Sequence, residues 1–162
     1  LNAALGGGMS SRLFQEIREQ RGLVYTVSSG YQGFRETGLF QVYAGCSPEN
    51  VYEVLSIVRE ITSDVAAKGL QDDEFARAKR FVRGSLLLGL DEQGALMSHL
   101  GKTELLLGAV PSPDEMAGEI DRVTPDDVRA AAADVLGAHP WSLVVVGPSL
   151  EKDVSRFVGA AA

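Results

Sequence analysis

The chain has 162 residues, 45% of them hydrophobic and 23% charged, with 18 Gly and 6 Pro, a composition that excludes disorder, collagen and coiled coil. Fifteen Lys and Arg stand against 22 Asp and Glu, and the resulting charge of −7 repels phosphate backbones and anionic lipid heads, so neither nucleic acid nor a membrane is expected as a partner. No run of ~18 apolar residues occurs to span a bilayer as a helix, and the single Cys46 forms no internal bridge, which fits a reducing compartment and makes the cytoplasm the default location.

In chain order, Leu1-Asn2-Ala3-Ala4-Leu5 reads as the last turn of an apolar helix that Gly6 to Gly8 bring to a stop. The start of that helix is therefore expected to be missing, which makes this a portion of a longer protein. Ser10 or Ser11 then caps a short helix with Leu13, Phe14 and Ile17 as its buried stripe and Gly22 as its end. From Leu23 to Tyr31 the period changes to two, with Tyr25, Val27, Ser29 and Tyr31 on one face and Val24, Thr26 and Ser28 on the other. A turn-rich stretch, Gln32 to Gly38, leads to a second alternating run, Leu39 to Cys46, which predicts an antiparallel hairpin whose core face is Phe40, Val42 and Ala44.

Ser47-Pro48-Glu49 supplies a cap, a first-turn proline and an acid, and Val51, Val54, Leu55, Val58, Ile61 and Val65 recur at helical spacing until Lys68-Gly69. A second long helix is expected from Asp72 to about Leu90, with Phe75, Ala78, Val82 and Leu86 on one face and Arg77, Lys79, Arg80 and Arg83 exposed. A third begins at Asp91, places Leu96, Leu100, Thr103 and Leu107 on one face, and ends at Gly108. Ser112-Pro113-Asp114-Glu115 and Thr124-Pro125-Asp126-Asp127 repeat a hydroxyl cap, a proline and an acid at the third position, which predicts two short helices, the latter stopping at Gly137. Trp141 to Val146 is an almost continuous apolar run that reads as a strand covered on both faces, ended by Gly147-Pro148, and Leu150, Val154 and Phe157 allow a short final helix. A hairpin, several helices and a returning strand argue for an α+β fold, an antiparallel β-sheet with α-helices packed on one face. No domain boundary is evident, so residues 1–162 are read as a single domain.

Few residues offer chemistry on their own. A zinc site needs three or four ligands, commonly two from one helix, whereas this chain has two His and one Cys far apart in sequence. His99 and Glu104, five apart, point about 140° from each other around a helix. His99 reads as a hydrogen-bonded side chain on a packed helix and His139 as a surface loop residue. No Ser lies in a G-x-S-x-G elbow. The basic stripe Arg77, Lys79, Arg80 and Arg83 reads as a solvated helix face rather than a phosphate site. Gly6-Gly7-Gly8 precedes a helix N-terminus as an anion cradle would, but it lacks the spacing and Lys of a P-loop and reads as a flexible turn.

The segment Gly6-Gly7-Gly8-Met9-Ser10-Ser11-Arg12-Leu13-Phe14-Gln15-Glu16-Ile17-Arg18-Glu19-Gln20-Arg21-Gly22-Leu23-Val24-Tyr25 resembles the C-terminal, non-zinc half of the pitrilysin and mitochondrial-processing-peptidase family of zinc metallopeptidases. The likeness continues through Asp91 to Gly108, Val123 to Val128 and Val144 to Pro148, and the absence of a long glycine-rich insertion between Gly8 and Ser11 makes the bacterial type the nearer one. The resemblance implies that Arg18 and Tyr25 complete an active site whose zinc ligands lie outside this chain, so that this portion binds no zinc and is inactive alone. It also implies a zinc-bearing N-terminal half or partner subunit, in the same chain or a second one as a homo- or hetero-dimer, and an extended peptide as substrate. A guanidinium offers five donors and a phenol one, and both suit a peptide carbonyl oxygen as it becomes anionic. The same family likeness also covers non-catalytic structural or assembly subunits, such as the core proteins of the respiratory cytochrome b-c complex.

Overall fold

The computed structural model describes residues 1–138 and 140–158, so the expectation for His139 lies outside the described residues. The chain folds as two compact units, one of residues 1–70 together with those from 126 onward, the other of residues 71–125.

In the first unit the sequence enters as one helical turn, α1 (Asn2–Leu5), and continues through the glycines into a helix over Phe14–Glu19. The hairpin β1 (Val24–Gly33) and β2 (Gly38–Cys46) pairs antiparallel, Val27 opposite Ala44, Ser29 opposite Val42 and Tyr31 opposite Phe40. Phe40, Val42 and Ala44 pack against the core as their alternation predicts. After a 3-10 turn, Pro48–Asn50, the long helix α2 (Val51–Lys68) buries Val54, Val58, Thr62 and Val65 and closes at Gly69, whose φ of +78° is a left-handed conformation that glycine adopts without a Cβ penalty. Thr62 interrupts the apolar stripe, and its hydroxyl is satisfied by donating to the Val58 carbonyl at 2.7 Å. The chain returns in α6 (Pro125–Ala132), prolonged as a π-helical turn over Ala133–Gly137. Leu5, Leu13, Ile17 and Val65 are fully buried at the centre of this unit, where truncation of one such side chain to Ala costs about 2–5 kcal/mol.

Two expectations change here. The sheet of the described residues has two strands, and Trp141–Val146 is not one of them. Val144 and Val146 are exposed, and only Trp141 packs on the core, its indole N–H directed at the Leu136 carbonyl. An apolar run becomes a strand when a neighbouring edge takes its N–H and C=O groups, and no described strand lies opposite this one. The final helix is a single 3-10 turn, Ser155–Phe157, with Phe157 buried.

The second unit contains α3 (Asp72–Gly89), α4 (Gln93–Leu107) and α5 (Pro113–Arg122). Its helix ends follow from local chemistry: Ser112 and Glu115 form a reciprocal capping box, Glu92 accepts from the Gly94 and Ala95 amides, and Gly108 ends α4 at a φ of +67°. Lys79 of α3 donates to the Asp121 and Val123 carbonyls at the end of α5, at 2.7 and 2.9 Å, while Arg83 reaches Asp121 and Arg77 pairs with Asp73. Within the basic stripe Lys79 and Arg83 thus tie α3 to α5, and Arg77 is paired within its own helix. The face of α4 that carries Leu96, Leu100 and Leu107 is exposed, and so are Met97, Leu105 and Leu106 beside it. The His99 Nε2 atom is enclosed and meets no hydrogen-bond partner among the described residues, where a satisfied side chain was expected. Among those residues no helix is long and apolar enough to cross a membrane.

Candidate active site

The glycines that precede the site act by close approach. A Cβ on Gly6 would stand 2.4 Å from the Ser29 amide nitrogen, because that amide donates to the Gly6 carbonyl at 3.0 Å. The Ser29 hydroxyl meanwhile donates to Asn2 Oδ1 at 2.6 Å. The glycine turn is therefore a seam onto β1, neither an anion cradle nor a loose linker. Ser11, buried, sets the next bend by donating from its hydroxyl to the Gly8 carbonyl, and its own carbonyl accepts from the Gln15 amide.

From Phe14 to Glu19 the helix is wound as a π-helix rather than the expected α-helix. The Gln20 amide reaches back to the Gln15 carbonyl, five residues away, and the Leu23 amide to that of Ile17. Leu13 and Ile17 sink completely into the core, which turns Arg18 outward. Gly22, at a φ of +62°, reverses the chain directly into β1.

Tyr25 is the surplus residue of a β-bulge. Val24 pairs with Cys46 and Thr26 with Gly45, so Tyr25 and Thr26 together face one residue of β2. Val24 and Val27, three apart, thereby both reach the core, while Tyr25 is 84% exposed. Even alternation would have put Tyr25 on the face of Val27; the bulge moves it out. The signal was present in the sequence as two valines spaced by three, which an unbroken ladder cannot bury together.

Arg18 and Tyr25 thus project from consecutive elements joined by the Gly22 turn, both exposed. Of the two arginines near this turn, Arg21 is held by Glu16, at 2.6 Å to its carboxylate and 2.8 Å to its carbonyl. Arg18 forms no ion pair among the described residues; its guanidinium lies over the Phe14 ring, 4.9 Å from the centroid. Phe14, read from the sequence only as part of the buried stripe, is the contact that sequence reasoning missed. Burial, and then the Glu49 carboxylate, push the Cys46 thiol above its ordinary range, which lowers its thiolate fraction.

Among the described residues no three or more His, Cys, Asp or Glu side chains gather into a group that could hold a metal ion. An open groove of about 770 Å³ lies within the second unit, lined by Leu107, Val110, Pro111, Met116 and Arg122 among others. It contains neither Arg18 nor Tyr25.

The fold is that of an α+β domain with Arg18 and Tyr25 exposed on either side of a helix–strand turn. Residues 1–82 match the family described as peptidase M16 inactive domain, and the chain belongs to that family. A Streptomyces coelicolor protein named an uncharacterized zinc protease is 56% identical over 162 residues, which cover all of this chain and 35% of that protein. A crystal structure of a peptidase M16 inactive domain from Pseudomonas fluorescens superposes with a TM-score of 0.74 at 26% identity, over 84% of this chain and 32% of that one. A chain of Complex III2 from Candida albicans, 23% identical with a TM-score of 0.69 over 77% of this chain and 30% of that one, shares the fold. The chain spans about a third of the length of the curated relatives it matches.

Proposed function

We propose that, in the full-length protein, this chain is the non-zinc half of a zinc-dependent metalloendopeptidase. It forms one wall of a peptide chamber, its partner half carries the zinc ligands, and it cleaves nothing alone. Arg18 and Tyr25 donate hydrogen bonds to carbonyl oxygens of an extended peptide, the phenol at the oxygen that gains charge and the guanidinium at the same or a neighbouring one. The observation that carries this reading is the exposure of both donors beside one turn, with Tyr25 lifted out of the sheet by a bulge and Arg18 left without a carboxylate while Arg21 takes Glu16. The family membership and the zinc-protease names of the relatives support it.

The test compares the full-length protein with this chain alone for zinc content and for cleavage of an unstructured fluorogenic peptide. Full-length protein is expected to bind zinc and cleave, and the chain alone to do neither. A full-length protein without either property would be an assembly subunit instead, and cleavage by this chain alone would overturn the division of labour.

A further inference from the structure

Resting on that reading, we infer that Phe14 is a positioning residue for Arg18, an aromatic plate that holds the guanidinium outward and clear of the neighbouring carboxylates. Phe14 is half-buried and packed against the hydrophobic core of its unit, so its ring is anchored from below. The guanidinium lies 4.9 Å above that ring, inside the range in which the negative face of an aromatic ring attracts a cation. The two residues are four apart on a helix whose intervening Ile17 is fully buried, so the backbone that carries both is fixed by the core. The Glu16 carboxylate is engaged by Arg21, and Arg18 forms no ion pair among the described residues. A long cationic side chain at a surface otherwise samples many rotamers. The ring removes part of that freedom before a peptide arrives, without neutralising the charge or occupying the outward-facing donors.

The experiment is a double-mutant cycle in the full-length protein, with Phe14→Leu, Phe14→Tyr, Arg18→Ala and the Phe14→Leu/Arg18→Ala pair assayed for kcat and KM. Phe14→Leu keeps an apolar side chain on the core and removes the ring face. It is expected to lower kcat/KM by about two- to five-fold, the equivalent of the roughly 0.5–1 kcal/mol of an exposed cation–π contact. Phe14→Tyr should restore the wild-type value, and in the Arg18→Ala background Phe14→Leu should have no further effect. An equal loss in both backgrounds, or no rescue by Tyr, would overturn the assignment. Selective labelling of the arginines supplies a readout independent of activity, since the side-chain resonances of Arg18 should be shifted upfield by the ring and should return to ordinary positions in Phe14→Leu. Unshifted resonances in the wild type would refute the plate. Shifted resonances together with wild-type kinetics in Arg18→Ala would leave the plate standing and remove Arg18 from the reaction.

Discussion

At the scale of single residues the proposed function rests on one phenol and one guanidinium, and the fold around them on one glycine. Because oxygen charge develops only in the transition state, Tyr25→Phe in the full-length protein should lower kcat by about two orders of magnitude, roughly the 3 kcal/mol of one oxyanion donor, with little change in KM. Steady-state kinetics with an unchanged kcat would take Tyr25 out of the reaction. Arg18→Ala should weaken both parameters, since a fixed positive charge attracts the peptide before and during reaction. Gly6→Ala places a methyl group 2.4 Å from a backbone nitrogen, and a thermal melt should register the loss of about 1–3 kcal/mol that overpacking costs. The residue types at these positions were legible in the sequence. What Gly6 does was not, because its partner Ser29 lies 23 positions away and nothing local announces the contact.

Among elements, the best-read ones are those whose determinants are local. The box of Ser112 and Glu115 announced α5 before any packing was known, and Ser112→Ala should destabilise that helix by about 1 kcal/mol, measurable by urea titration followed by circular dichroism. Where tertiary packing rules, the pattern misleads: the π-winding around Ile17 and the bulge at Tyr25 are both ways of adding a residue so that flanking apolar side chains reach the core. Trp141–Val146 shows the converse, a strand-like run without an edge to pair with. One ion pair on α2 sets a pH dependence. The hydrogen bond from Lys68, joined by Arg12, holds the Asp64 carboxyl below its usual range. A depressed folded-state pKa contributes stability that is complete above the unfolded value and is lost on acidification. Unfolding free energy should therefore fall as pH drops below about 4, and Asp64→Asn should be less stable at neutral pH with a shallower acid limb.

For the molecule as a whole, the α+β class follows from period, caps and one long motif, whereas the outward position of Tyr25 depends on a bulge that even alternation does not show. The two-unit arrangement does not follow from them either, since no composition shift marks residues 70 and 126. The units differ in kind. The first owns a closed core, whereas the second has Ala117 as its sole buried hydrophobic residue among those described and leaves Leu105, Leu106 and Leu107 of α4 largely in water. Contiguous exposed apolar surface drives association. The isolated chain should accordingly bind a hydrophobic dye and sediment as a self-associating species, and Leu105→Glu with Leu106→Lys should reduce both signals. A monodisperse, dye-silent wild-type chain would contradict this picture of α4.

The seam between Gly6 and Ser29 has a mechanical corollary. The middle of β1 is clasped by the incoming chain at Ser29, and the hairpin ends in a solvent-exposed tip with Tyr31 and Phe34 uncovered. Amide deuteration should consequently run from the tip inward, fast near Gly33 and slowest around Ser29 and Val27. On that ordering the backbone at Tyr25 lies on the far side of the clasp from the free tip, so motion of the tip must pass the Ser29 anchor to reach it.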